Sequence, residues 1–143
     1  MAGGRLEEAA VQFQEALRLD PAMLVARINL GVVLVSLSRF PEAEKELQAA
    51  TRLAPSDPEV AYNLGAAYTA ARKTPQAVKE LQRALTLRPE FAEARERLAT
   101  AYFYDGKPEE ALKEFREALR LRPEFAEAHF GLGVLLTEQG KEA

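Results

Sequence analysis

A chain of 143 residues with 48% apolar and 29% charged side chains can bury one continuous core. With no cysteine, a single histidine and a net charge of −3, it excludes disulfides and thiol catalysis, starves a zinc site or a histidine-based triad, and lacks the basic face that a general nucleic-acid binder needs. No run of about 18 apolar residues offers a membrane insertion, and the opening MAGGRLEEAA has neither the basic stretch nor the apolar core of a secretory signal, so the expected location is cytoplasmic.

Breakers divide the chain into eight predicted helices, at roughly 5–19, 23–37, 41–53, 58–71, 75–87, 91–104, 108–121 and 125–138. The first carries Leu6, Ala9, Ala10, Phe13 and Leu17 on one face. Pro41 and Pro108 start helices rather than break them, and Asp57-Pro58 and Thr74-Pro75 each set a capping side chain before a proline at the first helical position. Gly106 marks a turn. No stretch reads as a strand.

These helices repeat. Pro21, Pro55, Pro89 and Pro123 stand 34 residues apart. In the same register Leu30-Gly31 returns as Leu64-Gly65, Leu98-Ala99 and Leu132-Gly133, followed by Leu34, Tyr68, Tyr102 and Leu136. Further along, Ala9, Ala43, Ala77 and Ala111 are followed four residues later by Phe13, Leu47, Leu81 and Phe115, then by Ala16, Ala50, Ala84 and Ala118. Each set forms an inward stripe on one helix of a pair, with small residues allowing close approach and large ones filling the seam. A unit of this length cannot bury its own apolar face, so it must stack on its neighbours.

This pattern of Leu-Gly, then Tyr, Ala, Phe, Ala and Pro closely resembles the tetratricopeptide repeat family over nearly the whole chain. One family position departs: the Trp three residues before the Leu is here Arg27, Ala61, Arg95 and His129. The resemblance implies an all-α fold, a right-handed superhelical solenoid of antiparallel helix pairs forming a single array over 1–143. In it 1–23 is the second helix of a partial repeat, 24–57, 58–91 and 92–125 are complete repeats, and 126–143 is the first helix of a partial repeat.

Catalysis finds little support, so no catalytic, cofactor-binding or metal-ligating residue is assigned. His129 reads as a packing residue at the Trp position. Ser36, Ser38 and Ser56 lie in or beside turns with no local base. Gly31 and Gly65 lie inside helices, where close packing explains them better than a phosphate loop does. The Glu and Arg of KEFREALRLR, residues 113–122, read as a solvated face with i to i+4 pairs.

In the family, the first helix of each repeat lines a concave groove. Carried over by position, that implies an apolar strip of Val25, Ile28, Asn29, Val32 and Val35; then Glu59, Tyr62, Asn63, Ala66 and Thr69; then Glu93, Glu96, Arg97, Thr100, Phe103 and Tyr104; and finally Glu127, Phe130, Val134 and Glu138. Apolar and aromatic groups among acids suit a protein or peptide partner with apolar and basic residues. The carboxylate clamp by which some members grip chaperone tails is disfavoured. Asn63 and Arg97 match it, but Ile28, Val32 and Glu93 occupy the other three positions.

The expected function is a non-enzymatic protein–protein interaction scaffold. Two alternatives stand beside it: a self-associating structural scaffold, or the recognition arm of an enzyme whose catalytic domain lies outside this sequence. Self-association would run head to tail, with residues 126–143 of one copy, presenting Leu132, Leu135 and Leu136, docked on residues 4–23 of the next.

Overall fold

A computed structural model describes residues 2–142. It contains α1 (Ala2–Leu19), α2 (Leu24–Ser36), α3 (Phe40–Leu53), α4 (Pro58–Ala70), α5 (Thr74–Leu87), α6 (Ala92–Tyr104), α7 (Pro108–Leu121) and α8 (Ala126–Glu142), with no strand among the described residues. Helices α2 and α3, α4 and α5, and α6 and α7 pack as pairs, and α2, α4, α6 and α8 also lie side by side in that order. The result is the right-handed solenoid of antiparallel helix pairs. The internal boundaries fall within a residue or so of the expected ones, whereas α1 starts before Gly3 and Gly4 and α8 runs on past Gly140. A glycine costs a helix about 1 kcal/mol, too little to stop one already propagating.

Within each pair the turn repeats as faithfully as the helices do. The N–H groups of Arg39, Lys73 and Lys107 donate back to the carbonyls of Leu34, Tyr68 and Tyr102 at 2.8, 2.9 and 2.9 Å. Immediately before them, Ser38, Arg72 and Gly106 take left-handed backbone with φ of 59, 61 and 73°. That turn sets where the next helix enters. Asp57 caps α4 as expected, its carboxylate accepting from the Glu59 N–H at 2.9 Å. Thr74 does not cap α5: the turn places Lys73 at the cap and Thr74 already inside the helix, with no side-chain cap bond.

The core is a chain of apolar clusters running from one pair to the next. Leu30 clusters with Ala43, Leu64 with Leu47 of the preceding pair and Leu98 with Leu81 and Ala84 of the preceding pair, and the stripes Ala43/Leu47/Ala50, Ala77/Leu81/Ala84 and Ala111/Phe115/Ala118 are all buried. Contact is close where the first helix carries glycine. A Cβ on Gly31 would stand 2.6 Å from Leu47 Cγ, and one on Gly65 2.7 Å from Leu81 Cγ. At the ends the same stripes are less covered. Ala9, Phe13 and Ala16 on α1 are only half-buried, Leu136 is 46% exposed, and nothing lies within 4 Å of a Cβ built on Gly133.

The missing Trp has a polar replacement. Arg27 donates to the Pro21 carbonyl and to Glu46, both at 2.8 Å. Arg95 does the same with Pro89, at 3.2 Å, and Glu114, at 2.8 Å. His129 Nε2 lies 2.8 Å from the Pro123 carbonyl; since a carbonyl only accepts, Nε2 carries the proton. Ala61 cannot reach, and Arg83 from α5 serves instead, bonding the Pro55 carbonyl at 2.8 Å and Glu80 at 3.1 Å. Glu46, Glu80 and Glu114 occupy one position of the register, so each largely buried acid keeps a cation although the cation comes from different places. Across successive pairs, Gln48 donates to the Tyr68 hydroxyl and Gln82 to the Tyr102 hydroxyl, both at 2.9 Å.

Candidate interaction groove

Because α2, α4, α6 and α8 lie side by side, the residues expected along a groove fall on neighbouring elements. They are not equally available. On α2, Val25 and Val32 are 62% and 44% exposed and Asn29 is open. Ile28 is half-buried, and Val35 packs against the core between α2 and α4.

On α4 most polar groups are already engaged. Glu59 pairs with Arg88 at 2.9 Å. Tyr62 stacks against Phe91 with centroids 4.9 Å apart, and its hydroxyl accepts from Arg97 Nε at 3.3 Å. The Asn63 side-chain amide donates to the Glu59 carbonyl at 2.8 Å, and Thr69 donates to the Gly65 carbonyl at 2.9 Å. Ala66 is half-buried. Two residues expected to greet a ligand, Tyr62 and Asn63, are therefore partly committed to the fold.

A concavity lined on several sides by aromatic rings lies between α6 and α8. A cleft of about 440 Å³ is lined by Glu96, Thr100, Phe103 and Tyr104 from α6 and by Glu127, Phe130 and Val134 from α8. Phe103 and Tyr104 meet edge to face, 5.6 Å between centroids and 74° between planes, and Phe130 is 76% exposed. Thr100 donates to the Glu96 carboxylate at 3.3 Å and to its carbonyl at 3.0 Å. Burial pushes the Glu96 carboxyl above its ordinary value, with the charge of Glu127 adding to the effect and Arg97 and Thr100 opposing it. Glu93, just outside, pairs with Arg122.

Three further lining residues, Phe115, Ala126 and Gly131, were not expected. Phe115 stands where Leu47 and Leu81 stand in the register, and Gly131 where Asn29, Asn63 and Arg97 do. The two substitutions meet: a Cβ on Gly131 would lie 2.5 Å from Phe115 Cε1 and Cζ. A glycine opposite the larger ring therefore leaves Phe115 at the lining of the cleft. Among the described residues no three metal-ligating side chains gather, and no helix is long and apolar enough to cross a membrane.

Tetratricopeptide repeat models match residues 1–68, 62–103 and 99–140. The chain belongs to the tetratricopeptide repeat family. Its fold is similar to that of MamA, with a TM-score of 0.84 at 23% identity over 96% of this chain and 80% of that one. It is also similar to YrrB, a TPR protein with an unusual peptide-binding site, with a TM-score of 0.74 at 27% identity over 96% and 71% of the two chains. The first TPR of Spaghetti (RPAP3), solved with the HSP90 peptide SRMEEVD, matches with a TM-score of 0.77 at 23% identity over 82% and 93%. No curated protein sequence matches the chain.

Proposed function

We propose that this chain is a non-enzymatic protein-interaction scaffold whose groove, along α2, α4, α6 and α8, takes a peptide or helical segment carrying apolar anchors and basic residues. The observation that carries this reading is the run of exposed apolar groups on those helices, Val25, Val32, Tyr104, Phe130 and Val134, set among Glu59, Glu93, Glu96 and Glu127. Exposed apolar side chains of this kind, on α2 and on α6 and α8, favour association, and the similarity to YrrB supports a peptide as occupant. An acidic tail such as SRMEEVD suits this groove poorly, because Ile28, Val32 and Glu93 occupy three clamp positions. Affinity is expected on the order of micromolar, about −8 kcal/mol, with a few anchors dominating.

Peptides selected from a random displayed library on the 143-residue chain test this by calorimetry. Val25→Ser with Val32→Ser, and Phe130→Ser, change exposed residues and leave the core intact. Each is expected to weaken binding about tenfold; unchanged binding in both would place the site elsewhere. Tyr62→Ala is a poor probe, because it also removes the stack on Phe91.

A second reading, head-to-tail self-association, is favoured by the matching end faces. Leu132, Gly133 and Leu136 of one copy would pack on Ala9, Phe13 and Ala16 of the next, as Leu30, Gly31 and Leu34 pack on Ala43, Leu47 and Ala50. Such a contact is heterologous and can propagate. Light scattering over a hundredfold concentration range is expected to show growing mass for the parent and not for Phe13→Glu; a parent that stays monomeric defeats this reading.

A further inference from the structure

The cleft between α6 and α8 is more specific than an apolar groove, and its carboxylates are the reason. Three acids along the groove already have cations: Glu59 with Arg88, Glu93 with Arg122, and Glu138 with Lys141. Glu96 and Glu127, both lining the cleft, form no ion pair among the described residues. The nearby Arg97 is directed to the Tyr62 hydroxyl. Two carboxylates outside any ion pair thus face a space walled by Phe103, Tyr104 and Phe130, with the buried ring of Phe115 at its floor.

We propose that this cleft receives an arginine side chain of the partner, its guanidinium lying against the aromatic rings and meeting Glu96 and Glu127. The proposal rests on the groove reading for its occupant and names the residue the groove selects. A purely apolar anchor would take two carboxylates out of water with no ion pair to compensate them, only the Thr100 hydroxyl and the Arg97 charge beside Glu96, and an acidic anchor would be repelled. Lysine supplies the charge but no planar face to stack, and its ammonium is more strongly hydrated. Guanidinium on one of these rings already occurs within the molecule: Arg72 lies 5.2 Å over the Tyr104 centroid. Phe115 packs against Gly131, where a Cβ would lie 2.5 Å from its ring, and so forms the floor of the cleft.

The test is an NMR titration of the ¹⁵N-labelled 143-residue chain with N-acetyl-arginine N-methylamide, and with the matching citrulline and lysine derivatives, to about 50 mM. Arginine is expected to give saturable shifts at Phe103, Tyr104, Phe130 and Gly131. Citrulline, of the same shape without the charge, should bind about tenfold more weakly, and lysine several-fold more weakly. Glu127→Gln and Phe130→Ser should each reduce arginine binding severalfold, whereas Leu53→Ser, at an exposed position on α3, should leave it unchanged. Citrulline equal to arginine, lysine equal to or better than arginine, or no saturable shift at these residues overturns the proposal. The groove reading can fail separately: library peptides that bind along α2 and α4 without arginine dependence sink only the arginine pocket, and arginine binding here with no peptide held along the groove sinks only the groove.

Discussion

Gly65 and Gly133 occupy the same position of the 34-residue register, yet alanine should act on them with opposite sign. On Gly65 the added methyl lands 2.7 Å from Leu81 Cγ and 2.9 Å from its Cδ2. Leu81 is fully buried, so the overlap must be relieved by moving a packed helix, at a cost of about 1 to 3 kcal/mol. Alanine also removes the entropic penalty of glycine inside a helix, about 0.5 to 1 kcal/mol, which leaves Gly65→Ala net destabilising. On Gly133 the methyl meets nothing within 4 Å. Only the helix-propensity gain remains, so Gly133→Ala should stabilise α8 by up to about 1 kcal/mol. The assays are urea unfolding followed by circular dichroism and amide exchange along α8, because an end helix opens before the array does. Equal signs for the two variants would refute the reasoning. The same pair bears on self-association: if Phe13 of another copy packs at Gly133, Gly133→Ala should lower the association constant while raising helix stability.

Three other outcomes are expected. Ser38→Gly should raise the melting temperature, because serine at φ 59° carries a left-handed penalty of about 1 kcal/mol; Arg72→Gly should gain less, since it also loses the stack on Tyr104. A Ser38→Gly variant that melts lower would count against this. Arg95→Ala leaves Glu114, its side chain 8% exposed, without its cation and should cost about 3 kcal/mol. Arg95→Ala with Glu114→Leu should recover most of that in urea unfolding, and a double variant no better than the single one removes the explanation. Glu96→Gln should be more stable than the parent at pH 7. The folded carboxyl titrates above its ordinary value of 4.5, so between the two values the folded chain holds more proton and stability falls as pH rises. The advantage should vanish by about pH 4, and a gap independent of pH would show that charge burial is not the cause.

Much of the fold could be read without coordinates because each unit repeats the same instructions. A proline, a small residue facing a large one and an inward stripe recur at fixed spacing, and four copies of a weak signal make a strong one. Thr74 shows where this fails. A hydroxyl before a proline is a sound local cap signal, but the turn bond from Lys73 to Tyr68 fixes the helix entrance one residue earlier, and tertiary geometry overrides the local preference. The Arg83 substitution for the absent residue at Ala61 was equally hidden, since it links α5 to the preceding turn and leaves no mark at the position it rescues.

That α2, α4, α6 and α8 lie side by side was legible in the sequence, which of their side chains are available was not, and the reason lies in what a repeat conceals. Register assigns a residue to a face, but availability depends on neighbours: Tyr62 and Val35 share the face with Val25 and Phe130, yet pack inward. The cleft arose where two departures from the repeat coincide, Phe115 for leucine and Gly131 for a longer polar residue. The two fit each other: a Cβ at residue 131 would lie 2.5 Å from the Phe115 ring, so ring and glycine pack as a pair, and Phe115 lies buried at the floor of the cleft. Conformity to the repeat therefore builds the scaffold, whereas paired departures across facing helices shape the surface it offers. A sequence search for recognition sites in such arrays should compare facing positions in adjacent helices rather than positions singly, and here that comparison leads to α6, α7 and α8.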